Sequence, residues 1–466
     1  MNSHNVSAVK TAAQYAPSGG SVAADVAEAF RLLGYDRARA GQPDWNPLGW
    51  LIKPGETVFI KPNMIAHKHQ RDDSWEHVIT HGSVIRAVVD FVFIALEGKG
   101  RIIIGDAPQT DSKWDLIVER MGVNAIRDFY RQEKRFDIER VELRDEFWLE
   151  KDGVYVEKRK LAGDPLGGVA FDLAARSAFA ELDGQGRKYY GAFYDVEETN
   201  RHHSAGKHEY RISKTPLAAD VFISVPKLKT HKKCGITVNL KGLVGINADK
   251  NWLPHYAFGS PETGGDQFDR ASARGRIENT LVVKVKELLL TNNRLVQALA
   301  RWGKQWAYRL FGRTDDVVRS GNWHGNETVW RMCIDLNRIL MYGNPDGTWR
   351  VSPKKYLSVV DGVVAMEGDG PVAGSPKAAG VILVGDNPVA VDAVCAKLMG
   401  FDARKIPLIG RSFDRHDYPL IEEGGGTIHV ASNHAAWNKP LNEFQIDDVF
   451  HFKPHFGWTK HIEWTP

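Results

Sequence analysis

Cysteine is nearly missing from this 466-residue sequence: Cys234, Cys333 and Cys395 stand far apart. They form no CxxC pair, no zinc ligand set and no iron–sulfur set, so no iron–sulfur cluster is expected. A disulfide framework does not fit so few thiols, and a reducing compartment does. An excess of one charge is missing too. Lys and Arg number 61 against 58 Asp and Glu, a net charge of +3. A nucleic-acid coat or a polybasic membrane binder is more lopsided. Long apolar runs are absent. The longest, Val84 to Leu96, is broken by Arg86 and Asp90 and is too short to span a bilayer. The opening residues MNSHNVSAVKTAAQYAPSGG hold no apolar segment of a secretory signal. Four familiar motifs do not occur: GxxxxGK[ST], a strand-borne GxGxxG, HExxH and GxSxG. The expectation is a cytoplasmic protein with no nucleic-acid partner and no transmembrane segment, compatible with a homo-oligomer.

What is present is an ordinary globular composition, 43% apolar and 26% charged. Thr57–Ile60 and Arg101–Pro108 read as short buried strands with a helix-length segment, Ser83–Glu97, between them. Strand, helix, strand at this spacing is a βαβ unit, and it implies parallel pairing. An alternating stretch on either side of Asp152-Gly153 predicts a hairpin. Residues 378–400 read strand, turn, helix, with Asn387 as N-cap, Pro388 in the first turn and Gly400 as the stop. The fold class is α/β: a mainly parallel central sheet flanked by helices, with a β-hairpin insertion and a helical insertion. The expected divisions are an N-terminal extension (1–50), a first α/β half (51–134) and a β-rich insertion (135–215). A basic motif segment of the core (216–269), a helical insertion (270–350), a second α/β half (351–430) and an aromatic, histidine-rich tail (431–466) follow.

In open α/β sheets ligands bind at the carboxyl ends of the strands, and polar residues collect there. Lys61 and Asn63 flank Pro62 after the first strand; Asp106 follows the second. His81 precedes a helix, with Ser83 as the expected N-cap. Lys227, Lys229 and His231 come next, then Asn239 and Lys241, all within fifteen residues of a buried strand. Such a segment suits an anion with more than one negative charge, and Lys229 is expected to be exposed to it. Asp361, Glu367 and Asp369 lie among glycines and, with Asp106, form an oxygen-rich set suited to Mg²⁺ or Mn²⁺. Asp392 suits capping. Residues 286–311 read as a basic amphipathic helix, fit for a core-packed helix, a lid or a peripheral membrane contact. The tail histidines His451, His455 and His461 are expected to pack on the body rather than hold a metal.

Seven segments together resemble the family called domain of unknown function 362. They are VFIKPN (58–63), TH (80–81), GDAP (105–108), VPKLKTH (225–231), NLKGLVGI (239–246), DGVVAMEGDGPVAG (361–374) and NPVAVDAVCAKLMG (387–400). The resemblance supports a fold and a site. Many members of that family carry a ferredoxin-like iron–sulfur segment; this chain lacks the cysteines for one, so electron transfer is not carried over.

The function expected is an enzyme acting on a small anionic substrate, phosphorylated or carboxylated. Lys61, Asn63, Lys227, Asn239 and Lys241 would hold the substrate, with Lys229, His81 and His231 as catalytic groups. A divalent ion at Asp106, Asp361, Glu367 and Asp369 would favour metal-assisted phosphoryl-type transfer. Two alternatives stay open: a Lys/His acid–base isomerase or epimerase of a small acid, and a non-catalytic anion-binding or assembly protein.

Overall fold

The computed structural model describes residues 3–15, 20–151, 154–191, 195–271, 317–422 and 426–465. The strands run β1 (Ser3–Lys10), β2 (Thr57–Pro62), β3 (Arg101–Asp106), β4 (Ile138–Glu142), β5 (Glu146–Lys151), β6 (Val154–Lys160), β7 (Gly168–Asp172), β8 (Tyr189–Gly191) and β9 (Glu209–Ser213). They continue as β10 (Val221–Val225), β11 (Lys227–His231), β12 (Gly235–Thr237), β13 (Pro254–Ala257), β14 (Lys355–Glu367), β15 (Ser375–Gly385), β16 (Thr427–Ser432) and β17 (Lys439–Pro440). The main sheet has the order β17-β16-β1-β15-β14-β10-β2-β3-β4, with β11 and β12 joined to it alongside β14.

The five strands β4-β3-β2-β10-β14 are parallel, as the βαβ reading expects. Their apolar runs are buried on both faces, which a parallel sheet between helical layers requires. Alternation sorts the side chains into two cores. Val58, Ile60, Ile102 and Ile104 pack with the helices Gly20–Leu32, Gly82–Leu96 and Val123–Glu133. Phe59, Ile103 and Phe222 point the other way, toward Val329–Tyr342 and Pro388–Met399. The last helix is built as its sequence reads: the Asn387 side chain accepts from the Val389 and Ala390 amides, and Gly400 closes it at φ 90°.

Several expectations change. The N-terminal extension contributes β1, seated between β15 and β16 inside the main sheet. The region 135–215 is not wholly an insertion, because β4 forms an edge of the same sheet. It does contain the expected hairpin, β5 paired antiparallel with β6; the Asp152-Gly153 turn lies outside the described residues, as does the segment 286–311 that the sequence reads as a helix. The segment 227–231 is a fully buried strand, and Lys229, expected to be exposed, is 0% exposed. Asp361-Gly362, placed among glycines by the sequence, is the middle of the thirteen-residue β14. Gly362 fits there because a Cβ would lie 2.7 Å from the Val381 side chain and 2.9 Å from its carbonyl on β15. The tail packs as expected: Trp458 is buried and its indole donates to the Lys232 carbonyl at 2.8 Å, covering the β11–β12 hairpin. No helix among the described residues is long and apolar enough to cross a membrane.

Asp392 caps a helix other than its own. Its carboxylate accepts from the Asn239 and Leu240 backbone amides, both at 3.0 Å, and from the Asn239 side chain at 2.9 Å. It thereby fastens the start of Asn239–Gly242 to the Pro388–Met399 helix. Asp392→Ala leaves these three buried donors without their acceptor and should cost about 2–4 kcal/mol in urea unfolding. A loss below about 0.5 kcal/mol would show that the clasp carries no stability.

Candidate functional site

Parallel pairing brings the ends of β2, β3 and β10 to one edge, and β14 runs past that edge at Asp361. Strand β10 passes through Pro226 directly into β11, so one nearly continuous extended segment lines β14. The Asp361 amide donates to the Pro226 carbonyl at 2.8 Å, and Lys227 stands opposite Asp361. Lys61, Asp106, Lys227 and Asp361 therefore share one edge region, where they form two ion pairs.

In the first pair, Lys61 Nζ lies 2.9 Å from Asp106 Oδ1, and both side chains are buried. The same carboxylate accepts from the backbone amides of Met64 (2.8 Å) and Ala107 (2.9 Å). Gly245 closes over it. A Cβ there would collide with the Asp106 carboxylate and stand 2.8 Å from the Lys61 ammonium, so glycine is what lets this backbone approach.

The second pair is deeper. Lys227 Nζ donates to Asp361 Oδ2 at 2.6 Å, and both side chains are 0% exposed. Tyr15 completes it: its hydroxyl lies 2.6 Å from Asp361 Oδ1 and 2.6 Å from Lys227 Nζ. Burial, and then the Asp361 charge, raise the Tyr15 phenol well above its ordinary range, so it stays protonated. Burial lowers Lys227, and the Asp361 charge opposes that shift. The His81 amide donates to Asp361 Oδ2 at 2.8 Å. The His81 ring is sandwiched between Tyr15 (centroids 3.7 Å apart) and Trp75 (5.6 Å). His81, rather than Ser83, is the N-cap of Gly82–Leu96: its ring accepts from the Ser83 amide. Burial holds its pKa down to about 4, so it is neutral at pH 7.

The other basic residues divide sharply. Lys229 donates to two carbonyls, Val78 at 2.7 Å and Pro371 at 3.2 Å. Burial, with Lys227 and Lys241 nearby, lowers it well below the usual lysine range. Lys241 is buried, 8% exposed, and its side chain has no hydrogen bond or ion pair to a described residue. After burial, its charge is the next cause depressing both His231 and His255. His231 Nδ1 accepts from the Lys233 amide at 3.0 Å, so the neutral ring carries its proton on Nε2. Lys250, which the sequence reading passed over, donates to the Val244 carbonyl at 2.6 Å and is pushed down to about 7, chiefly by burial.

The polar and acidic residues go elsewhere. Asn63 is tied by its amide to the Thr80 hydroxyl, which itself donates to the Val225 carbonyl. Asn239 is fully used: its side-chain oxygen accepts from Tyr356 and Ser358. Glu367 pairs with Lys377 at 3.2 Å and Asp369 with Arg71 at 2.7 Å, away from the two buried pairs. Each of the four carboxylates thus already faces a lysine or arginine. Tyr15 had no signal in its own segment, AAQYAPSGG, because its hydrogen-bond partners lie over two hundred positions away.

A mainly parallel α/β sheet with lysine–aspartate pairs buried at its carboxyl edge defines the structural class. Within it, the chain belongs to the family described as Domain of unknown function (DUF362), whose model matches residues 58–159 and 171–397. The chain is also similar to a thylakoid-associated protein of Synechocystis sp. (strain ATCC 27184 / PCC 6803 / Kazusa), 21% identical over 360 residues, 77% of this chain and 68% of that protein. Tyr15, β1, β16 and the tail lie outside the family match.

Asp361→Ala strands a buried ammonium and should cost about 3–5 kcal/mol in urea unfolding. Tyr15→Phe, which removes only a hydroxyl, should cost about 1 kcal/mol. Equal small losses from both would mean that the pair does not organise this edge.

A pH dependence follows from His81 and His77, both held by burial at about 4. The unfolded chain binds these protons near 6.5, and the folded chain does not. Their contribution is complete above about pH 6.5 and is lost as the pH falls toward about 4. Unfolding midpoints measured between about pH 7.5 and about pH 4.5 should fall less steeply in His81→Gln than in the parent; identical slopes would contradict the assignment.

Proposed function

We propose that the chain is an enzyme acting on a small anionic substrate, phosphorylated or carboxylated, whose negative charge is held at Lys241. One observation carries this reading: Lys241 is a buried cation without a counter-charge among the described residues, with further basic groups around it. Its ammonium is not among the enclosed side-chain atoms that lack a partner, so it reaches solvent, and a bound anion would supply the missing counter-charge. Lys61 and Lys227 are already neutralised by Asp106 and Asp361, so they frame the site rather than clamp the ligand.

His231 supplies the acid. Its Nδ1 is occupied by the Lys233 amide, which leaves Nε2–H as the donor. Lys229, lowered by burial, is the candidate for a neutral amine base. A Lys/His proton transfer on a small acid uses these groups as they stand. Metal-assisted phosphoryl transfer with Mg²⁺ or Mn²⁺ requires Asp106 or Asp361 to exchange its lysine for the ion, so the isomerase or epimerase reading needs less rearrangement. A cytoplasmic setting belongs to the proposal and is supported by the three free, buried cysteines.

Binding of inorganic phosphate and of acetate, measured by calorimetry on the full chain, tests the clamp. Lys241→Gln should weaken binding at least about tenfold and leave the melting temperature unchanged or higher, because the ammonium it removes has no hydrogen bond or ion pair to lose among the described residues. Unaltered anion affinity together with a lower melting temperature would make Lys241 structural. Solvent-deuterium exchange into candidate small acids, lost in His231→Gln, would separate the enzyme from a binding protein.

A further inference from the structure

A cleft of about 760 Å³ opens beside the Tyr15–His81–Trp75 stack, lined in part by His69, Trp75, His77, Val364 and Pro376. Its two histidines are buried, 6% and 5% exposed, and their rings lie 5.2 Å apart at 47°. Nε2 of each is buried and has no hydrogen-bond partner among the described residues. A buried ring nitrogen without a partner is unfavourable, and here two such nitrogens belong to neighbouring rings in the lining of one cleft. A single shared ligand would satisfy both.

We propose that His69 and His77 hold a divalent ion of the Zn²⁺, Co²⁺ or Ni²⁺ class through their Nε2 atoms. Imidazole nitrogen suits these ions, whereas Mg²⁺ prefers oxygen. His77 is held neutral, so its lone pair is available. Asp72 Oδ2 stands 3.3 Å from His69 Nδ1, the position of a carboxylate that orients a ligating imidazole from behind. The Arg71 amide also reaches His69 Nδ1, at 3.4 Å; ion binding at Nε2 puts the proton on Nδ1 and turns that nitrogen toward Asp72. No group of three His, Cys, Asp or Glu that could hold an ion occurs among the described residues. The remaining positions of the ion are therefore taken by water or by a ligand in the cleft. The site shares no residue with the Lys241 anion site, so each stands or falls alone.

The test is titration of the metal-free full chain with Co²⁺ and Zn²⁺, read by Co²⁺ absorption and by calorimetry. Affinity should fall about 100-fold in His69→Gln and in His77→Gln and about tenfold in Asp72→Asn. It should not change in His451→Gln, on the tail. The parent protein provides a measurement independent of any variant's folding: Zn²⁺ should raise its melting temperature and Mg²⁺ should not. Unchanged affinity in both histidine variants, or a parent protein that Zn²⁺ neither binds nor stabilises, would overturn the proposal and leave a bridging water as the shared partner.

Discussion

The ion pair between Lys227 and Asp361 organises the centre of this molecule. Two full charges sit where neither side chain has any exposed surface. Removing them from water is costly, and only close geometry with further hydrogen bonds offsets it. The chain supplies those bonds from distant segments: the Tyr15 hydroxyl from near the amino terminus and the His81 amide from the start of a helix. The Asp361 backbone also ties to Pro226, which joins β10 to β11. The pair thus fixes the course of the basic segment along β14 and, with it, the positions of Lys229 and His231.

Around that neutralised centre the electrostatics are lopsided. Lys61 and Lys227 have carboxylates, Lys229 and Lys250 have only carbonyls, and Lys241 has no described partner. Carbonyl dipoles stabilise an ammonium less than a carboxylate does. Burial lowers Lys229 and Lys250 below the usual lysine range, Lys250 to about 7. A chain that is almost neutral overall therefore keeps a local excess of positive charge where strand ends meet.

Much of the sheet was legible in the sequence because strands buried on both faces must be continuous apolar runs. Thr57–Pro62, Arg101–Asp106 and Val221–Val225 are of this kind, and Asn387 with Gly400 bounds its helix by local chemistry alone. The site was legible as a set of residue types but not as a set of partners. Proximity along the chain grouped Asp361 with Glu367 and Asp369. In a strand, however, Asp361 and Glu367 are separated by about 20 Å of extended backbone, and Glu367 meets Lys377 instead. The Asp-Gly pair at 361–362 carries the signature of a turn, while its glycine answers to close packing against Val381. Burial of Lys229 was hidden for a similar reason: a basic segment reads as surface until the distant Val78 and Pro371 carbonyls that receive its ammonium are in place. Tyr15 depends entirely on long-range pairing, which no local pattern encodes.

The place of β1 bears on how the chain is made. It lies between β15 and β16, with Val6 opposite Gly385 on one side and Val430 on the other. At ribosomal speeds of about 5–20 residues per second, roughly 20–75 s separate its emergence from that of its first neighbour. Throughout that interval both edges of β1 lack their final partners, a state that invites pairing with other chains. Completion of the sheet is therefore a late event in synthesis, and chaperone occupancy of the first residues would bear on yield more than the stability of the finished fold.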